Sequence, residues 1–153
     1  MIFIIEGPDG SGKSTLAAQL SKQTGYTVVH RSNPKNEEEK RAMLDMYVRE
    51  IKTGKNLILD RCWYSEMVYG PVMRDENVID IYKMYYLETL LAKRGALVIY
   101  CTDTPETLWQ RCTSRGEDYV TDYKTFVDIC DAYEKLMSIP HHIPVVRYGY
   151  EDM

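Results

Sequence analysis

Ile2-Phe3-Ile4-Ile5-Glu6-Gly7-Pro8-Asp9-Gly10-Ser11-Gly12-Lys13-Ser14-Thr15 decides how the rest of the chain is read. The unbroken apolar run Ile2 to Ile5 predicts a short strand buried on both faces. Gly7 to Ser14 then fits the pattern G-x-x-x-x-G-K-[ST], with an amphipathic helix (Leu16, Ala17, Leu20) to follow. Gly7, Gly10 and Gly12 let the backbone N–H groups of the loop, Ser11 and Thr15 included, turn inward around phosphate oxygens. Lys13 is placed to reach the β and γ phosphates, and the hydroxyl of Ser14 is a ligand for Mg²⁺. The helix N-terminus near Lys13 adds its own attraction for anions. The stretch predicts a nucleoside triphosphate site.

At 153 residues the chain is long enough for one domain with a sound core and too short for two. An apolar fraction of 44% against 27% charged residues is that of an ordinary globular protein. No apolar run is long enough to cross a bilayer, and Met1 leads straight into the first strand, so a cytoplasmic location is expected. Cys62, Cys101, Cys112 and Cys130 are widely spaced and form no metal-binding pattern with His30, His141 and His142; reduced, packed thiols are expected. A net charge of −4 speaks against a broad nucleic-acid footprint.

Strand-like and helix-like segments alternate, which predicts βαβ units, a mainly parallel sheet and helices on both of its faces. Strands are expected at Ile2–Ile5, Thr27–His30, Asn56–Asp60, Ala96–Cys101 and Val145–Tyr148. Helices are expected from Lys13 to Lys22, Glu37 to Lys52, Trp63 to about Gly70, Val78 to Lys93, Pro105 to Thr113 and Thr121 to Met137. The broad apolar stripe of the Val78–Lys93 helix is expected in the core, with a subunit contact as the alternative, and Tyr82, Tyr85 and Tyr86 are placed in core or interface. Pro140 and Pro144 around His141-His142 predict a rigid surface turn. Glu37-Glu38-Glu39 is read as first-turn charge facing a helix dipole. Ligands are expected to collect at the carboxyl ends of the strands.

Two further segments carry chemistry. Asp60-Arg61 falls at the tip of the third strand, where Asp60 can share Mg²⁺ with Ser14 and Arg61 offers phosphate a planar fork. Arg111 and Arg115 stand four apart, so on a helix they share a face and can grip one phosphate. Gly116 then opens a loop, and residues 114–120 are expected to form a lid over the donor phosphates.

Together, Glu6-Gly7-x-Asp9-Gly10-x-Gly12-Lys13-Ser14-Thr15, Asp60-Arg61-x-x-x-Ser65-x-x-x-Tyr69 and Arg111-x-x-x-Arg115-Gly116 resemble the loop, DR motif and lid of thymidylate kinases. Thr104-Pro105-Glu106 resembles the opening of that family's lid helix. The same regions are similar to deoxyribonucleoside kinases, whose ERS segment Asp60-Arg61-Cys62 approximates. The resemblance implies an α/β P-loop NTPase fold: a three-layer αβα sandwich with a five-stranded sheet, a short lid, and one domain over residues 1–153. It implies ATP and Mg²⁺ as cofactors, Lys13, Asp60, Arg61, Arg111 and Arg115 in catalysis, and Asp9, Arg31, Arg61, Ser65 and Tyr69 at the acceptor. Asp9 falls on a loop carboxylate that approaches the acceptor's 3′-hydroxyl, and a homodimer is implied as well.

A nucleoside 5′-hydroxyl benefits from a carboxylate base just after the second strand, where this chain reads His30-Arg31-Ser32-Asn33-Pro34 with no acid. A monophosphate acceptor already carries an ionised oxygen and needs positioning and charge neutralisation only. The expected reaction is phosphoryl transfer from ATP to a pyrimidine deoxynucleoside monophosphate, dTMP first. The alternatives are a deoxyribonucleoside kinase, a kinase acting on a nucleotide within DNA, and a nucleotide-binding regulatory domain. The family's Arg-Glu-Pro after the second strand is only partly kept in Arg31-Ser32-Asn33-Pro34. Tyr47, Trp63, Tyr64 and Tyr69 are the aromatic residues available to stack on a base.

Overall fold

A computed structural model describes residues 1–31, 33–116, 120 and 122–149. Its strands are β1 (Ile2–Glu6), β2 (Thr27–His30), β3 (Leu57–Asp60), β4 (Ala96–Thr102) and β5 (Val145–Gly149). They form one sheet in the order β2-β3-β1-β4-β5, and every pairing is parallel. The helices are α1 (Lys13–Thr24), α2 (Glu37–Lys52), α3 (Trp63–Tyr69), α4 (Ile81–Arg94), α5 (Pro105–Arg115) and α6 (Tyr123–Ser138).

The apolar strands do not alternate with polar residues because both sheet faces are covered. Ile2, Ile4, Leu57, Leu59, Ala96, Val98 and Tyr100 point to one face and meet residues of α2 to α6. Ile5, Ile58, Ile99 and Cys101 point to the other, where Leu16 and Ala17 of α1 cover them. The layering is therefore lopsided, with a large core on one side and a thin one under α1. All four cysteines are buried free thiols, as expected, and burial pushes those of Cys101 and Cys130 up to about 12.

Element starts follow their caps. Asn36, Asp80, Thr104 and Asp122 each accept the backbone N–H three residues on, so α2, α4, α5 and α6 begin there. The Asp80 cap starts α4 later than the apolar pattern suggests and leaves Val78 outside the helix. Beyond Tyr69 the chain continues as a π-helical turn, Gly70–Arg74, rather than stopping at Gly70-Pro71. Pro71 has no N–H to donate, so the hydrogen-bond ladder shifts register at that point. On α4, Tyr82 is 82% exposed and Tyr86 47%, so neither belongs to the core.

The turn at His141 corrects the surface reading. The His141 side chain is only 3% exposed: its Nδ1 lies 2.6 Å from Oε2 of Glu88, a fully buried carboxylate on α4, and its Nε2 lies 2.8 Å from the Leu136 carbonyl. Tyr64 donates to the same carboxylate at 2.6 Å and the His142 N–H at 2.8 Å. A buried acid on α4 needed partners, and the two prolines hold the turn against it. Burial alone would raise the Glu88 carboxyl, but the hydrogen bonds from His141, Tyr64 and His142 outweigh it and hold it below its ordinary 4.5. Burial would likewise lower His141, and its bonds to Glu88 and the Leu136 carbonyl raise it above 6.5.

The signs give a stability window. The Glu88 contribution is complete above 4.5 and fades as pH falls through its lowered folded value. The His141 contribution is complete below 6.5 and fades as pH rises through its raised folded value. Wild-type stability is therefore expected to decline on the alkaline side of that window. His141→Phe is expected to cost about 3–5 kcal/mol near pH 6 by leaving the buried Glu88 carboxylate without its cationic partner, and to flatten the alkaline decline. Urea titrations at pH 6 and 9 check both, and an unchanged alkaline slope in the variant would contradict the assignment.

Candidate active site

The loop after β1 wraps the start of α1 at the carboxyl edge of the sheet. Gly7, Gly10 and Gly12 take φ values of 149°, 81° and 85°, which lets the loop fold back on itself. A Cβ on Gly7 would stand 2.0 Å from the Cys101 carbonyl oxygen, and one on Gly10 2.7 Å from that of Leu108. The loop is thus seated against β4 on one side and α5 on the other.

Beside it lies a cleft of about 370 Å³ lined by Gly10, Gly12, Lys13, Ser14 and Thr15 of the loop, and by Asp9, His30, Arg31, Asp60, Arg61 and Arg115. Lys13 is buried and donates to the Pro8 carbonyl at 2.7 Å and to Ser11 Oγ at 3.3 Å. Burial, and after it the nearby Arg61, lower its pKa to about 8. Ser11 itself is buried with its hydroxyl on the Pro8 carbonyl at 2.6 Å, so its side chain braces the loop. Ser14 Oγ donates to Asp60 at 3.3 Å across the β1–β3 boundary. That hydroxyl–carboxylate pair offers hard oxygen ligands and fits a Mg²⁺ that keeps several waters and takes its other ligands from phosphate. Among the described residues no cluster of three His, Cys, Asp or Glu offers a competing metal site.

The arginines are held individually. Arg61, at φ 72°, pairs with Asp9 across the cleft and lies over the Tyr69 ring at 5.4 Å. Arg31 lines the cleft and pairs with Glu50 of α2. Arg115 reaches the cleft from the end of α5, whereas Arg111, one turn earlier, lies against Asp103 at 3.2 Å. The expected two-arginine grip is not assembled in this arrangement. The expected lid covers residues 114–120, of which 117–119 lie outside the described residues.

Ser65 and Tyr69 do not line the cleft; both are buried behind Arg61, with Ser65 Oγ 3.4 Å from its Nη1. In this arrangement the two residues expected at the acceptor pack against Arg61 instead of forming the cleft wall. Trp63, Tyr64 and Tyr69 are likewise buried in the core. Tyr47 is buried as well, at 3% exposure, but alone of the four it lines a second hollow of about 390 Å³, which shares His30 and Arg31 with the cleft and also carries Pro34, Met43, Met46 and Arg49.

Two residues at or beneath the cleft were given no role in the sequence reading. His30 lies opposite Asp60 in the β2–β3 register, and its Nδ1 is 2.9 Å from the carboxylate. A polar residue ending the strand next to the Asp60 strand was the available signal. Glu6 is fully buried under the loop; a carboxylate closing an apolar strand was the sign.

A polyanion cradle at the switch point of a parallel sheet, faced by strand-end acid and arginines, is the arrangement of P-loop phosphotransferases. Comparison with known proteins agrees and narrows it. A model of the polyphosphate kinase 2 (PPK2) family matches residues 1–135, and the chain belongs to that family. It is 29% identical over 137 residues to the SPbeta prophage-derived protein YorR of Bacillus subtilis strain 168, covering 90% of this chain and 82% of that one. The crystal structure of YorR, in complex with phosphorylated GDP, superposes with a TM-score of 0.79 at 25% identity over 98% of this chain and 85% of that one. Identity is 26% with a deoxyguanosine kinase of Bacillus subtilis, over 79% of this chain and 70% of that one. With a probable thymidylate kinase of Archaeoglobus fulgidus it is 24%, over 76% and 71%. Kinases of nucleosides and nucleotides recur among these relatives, and this enzyme is a nucleotide kinase using a nucleoside triphosphate. No described helix is long and apolar enough to cross a membrane.

Proposed function

We propose that the enzyme transfers the γ-phosphoryl group of ATP to a pyrimidine deoxynucleoside monophosphate, with dTMP the first acceptor. One observation carries the choice of a monophosphate. The two carboxylates lining the cleft are engaged, Asp9 with Arg61 and Asp60 with Ser14 and His30, while Arg31 and Arg61 line the same cleft as cations that we assign to the acceptor. An acceptor phosphate supplies its own nucleophilic oxygen and needs cations around it rather than a base.

In this reading Lys13 and the loop amides hold the donor, and Ser14 and Asp60 hold Mg²⁺, which would supply charge neutralisation on the phosphates. Arg31 and Arg61 orient the acceptor, and Arg115, joined by Arg111, balances charge on the group in transit. The bond from γ-phosphorus to the β-bridging oxygen breaks and one to the acceptor phosphate oxygen forms, giving ADP and a nucleoside diphosphate. Asp9 reaches the 3′-hydroxyl, and the base enters the hollow between Met43, Met46, Tyr47 and Arg49, where the guanidinium suits a keto oxygen.

The keto oxygen is shared by thymine and guanine, and the YorR complex with phosphorylated GDP and the deoxyguanosine kinase relative favour guanine as the second reading. A homodimer through the exposed Ile81, Tyr82 and Tyr86 of α4 belongs to the same proposal; a monomeric mass by light scattering counts against it. The test is ADP release with dTMP, dGMP, dCMP, dAMP, the free nucleosides and an oligonucleotide, with inorganic polyphosphate as a second donor. The expected result is turnover with dTMP or dGMP above all others. Turnover of thymidine or deoxyguanosine without turnover of any monophosphate sinks the reading.

A further inference from the structure

Glu6 closes β1 and opens the loop, yet its carboxylate is fully buried and does not line the cleft. It collects four hydrogen bonds. Oε1 accepts from the backbone N–H groups of Cys62 at 2.8 Å and Ser65 at 3.1 Å. Oε2 accepts from the hydroxyls of Ser65 at 2.7 Å and Tyr133 at 3.0 Å. The N–H groups of Cys62 and Ser65 belong to the start of α3, whose own N-cap, Cys62, supplies no side-chain hydrogen bond. The helix is capped instead by an acid from a different strand.

Those bonds bracket Arg61. Its own N–H donates to the Ile5 carbonyl at 3.0 Å, and the next N–H, of Cys62, goes to Glu6. Consecutive residues of β1 therefore fix the peptide groups on both sides of the Arg61 Cα. That fixing matters because Arg61 stands at φ 72°, in a region that side chains other than glycine seldom occupy. The guanidinium rests on the same platform. Ser65 gives its one proton to Glu6, which leaves its lone pairs facing Nη1 of Arg61 at 3.4 Å. Tyr69, under the guanidinium, packs edge-on to Tyr133 at 6.3 Å.

We propose that Glu6 is a positioning residue of the transfer reaction: through Cys62, Ser65 and Tyr133 it sets the backbone and guanidinium of Arg61 on the acceptor side of the cleft. The proposal rests on the reading of Arg61 as an acceptor clamp given above. It makes the first residue of the donor loop the anchor of the acceptor arginine, so the two substrate sites share one support.

A double-mutant cycle tests it, using steady-state kinetics with ATP and the preferred monophosphate. Glu6→Gln is expected to lower kcat/KM for the acceptor by about tenfold or more while the KM for ATP moves less than about threefold. In an Arg61→Ala background the same change is expected to have less than about a threefold further effect, because the group it acts through is gone. Tyr133→Phe keeps the ring volume, removes one of the four bonds, and should act in the same direction and equally non-additively; it decides the question should Glu6→Gln fail to fold. Additive losses, or equal losses toward both substrates, in an otherwise active enzyme overturn this inference alone. A wild-type chain that phosphorylates no nucleoside monophosphate overturns it together with the reading beneath it.

Discussion

Lys13→Met is expected to lower kcat by about 100- to 1000-fold while leaving the fold intact, because one charged contact to the group in transit contributes roughly 3–4 kcal/mol in a preorganised site. The environment of Lys13 explains both parts. Its stem is buried and a methionine fills nearly the same space, so little packing is lost. Among the described residues its ammonium donates to the Pro8 carbonyl and Ser11 Oγ, and it is already destabilised, with a pKa near 8 from burial and then from Arg61. In the proposed reading, donor phosphates replace those weak acceptors with full negative charge. ATP affinity should therefore weaken as pH rises past about 8, where the free lysine loses its proton and binding must restore it. Isothermal titration in buffers of different ionisation enthalpy is expected to show this as proton uptake on binding at pH 9 and little at pH 7, and Lys13→Met should abolish the uptake. A variant that keeps wild-type kcat would remove Lys13 from the reaction.

Gly7→Ala is expected to be the most damaging single methyl in the chain. Glu6 pairs with Tyr100 in the β1–β4 register, which brings Gly7 against the Cys101 backbone, where the added Cβ would lie 2.0 Å from the carbonyl oxygen. The obstacle is a central strand rather than a side chain, and no rotamer relieves it. The φ of 149° adds a conformation that alanine resists. A loss of about 4–5 kcal/mol or more is expected, at the upper end for point substitutions. Gly25→Ala is the control: its φ is 75° but nothing lies within 4 Å of an added Cβ. There only the backbone term of about 1–2 kcal/mol applies. Thermal melts of the two variants separate a steric requirement from a conformational one, and equal losses would contradict the close approach at Gly7.

The α/β fold and its donor loop were legible because both are local. Ile2 to Ile5 must be a strand buried on two faces, and the glycine spacing after it admits few other turns. Asp60 was legible for the same reason, as an acid ending an apolar run. What escaped depends on pairings distant in sequence. Glu6 finds its partners in α3 and α6, 56 to 127 residues away. His30 earns its place only because β2 lies beside β3. His141 looked exposed from its prolines, and only Glu88, 53 residues earlier, explains its burial. The arginines illustrate the same limit: a spacing of four placed Arg111 and Arg115 on one face, but Asp103 decides where Arg111 rests.

The central claim is that this cleft moves a phosphoryl group onto a nucleoside monophosphate. Phosphorus NMR of the enzyme with ATP, Mg²⁺ and dTMP or dGMP reads it directly. A new β-phosphorus signal of dTDP or dGDP, growing as the γ signal of ATP declines and absent with Lys13→Met, is the predicted result. Loss of ATP with only inorganic phosphate appearing, or new signal solely when a nucleoside replaces the monophosphate, would contradict it.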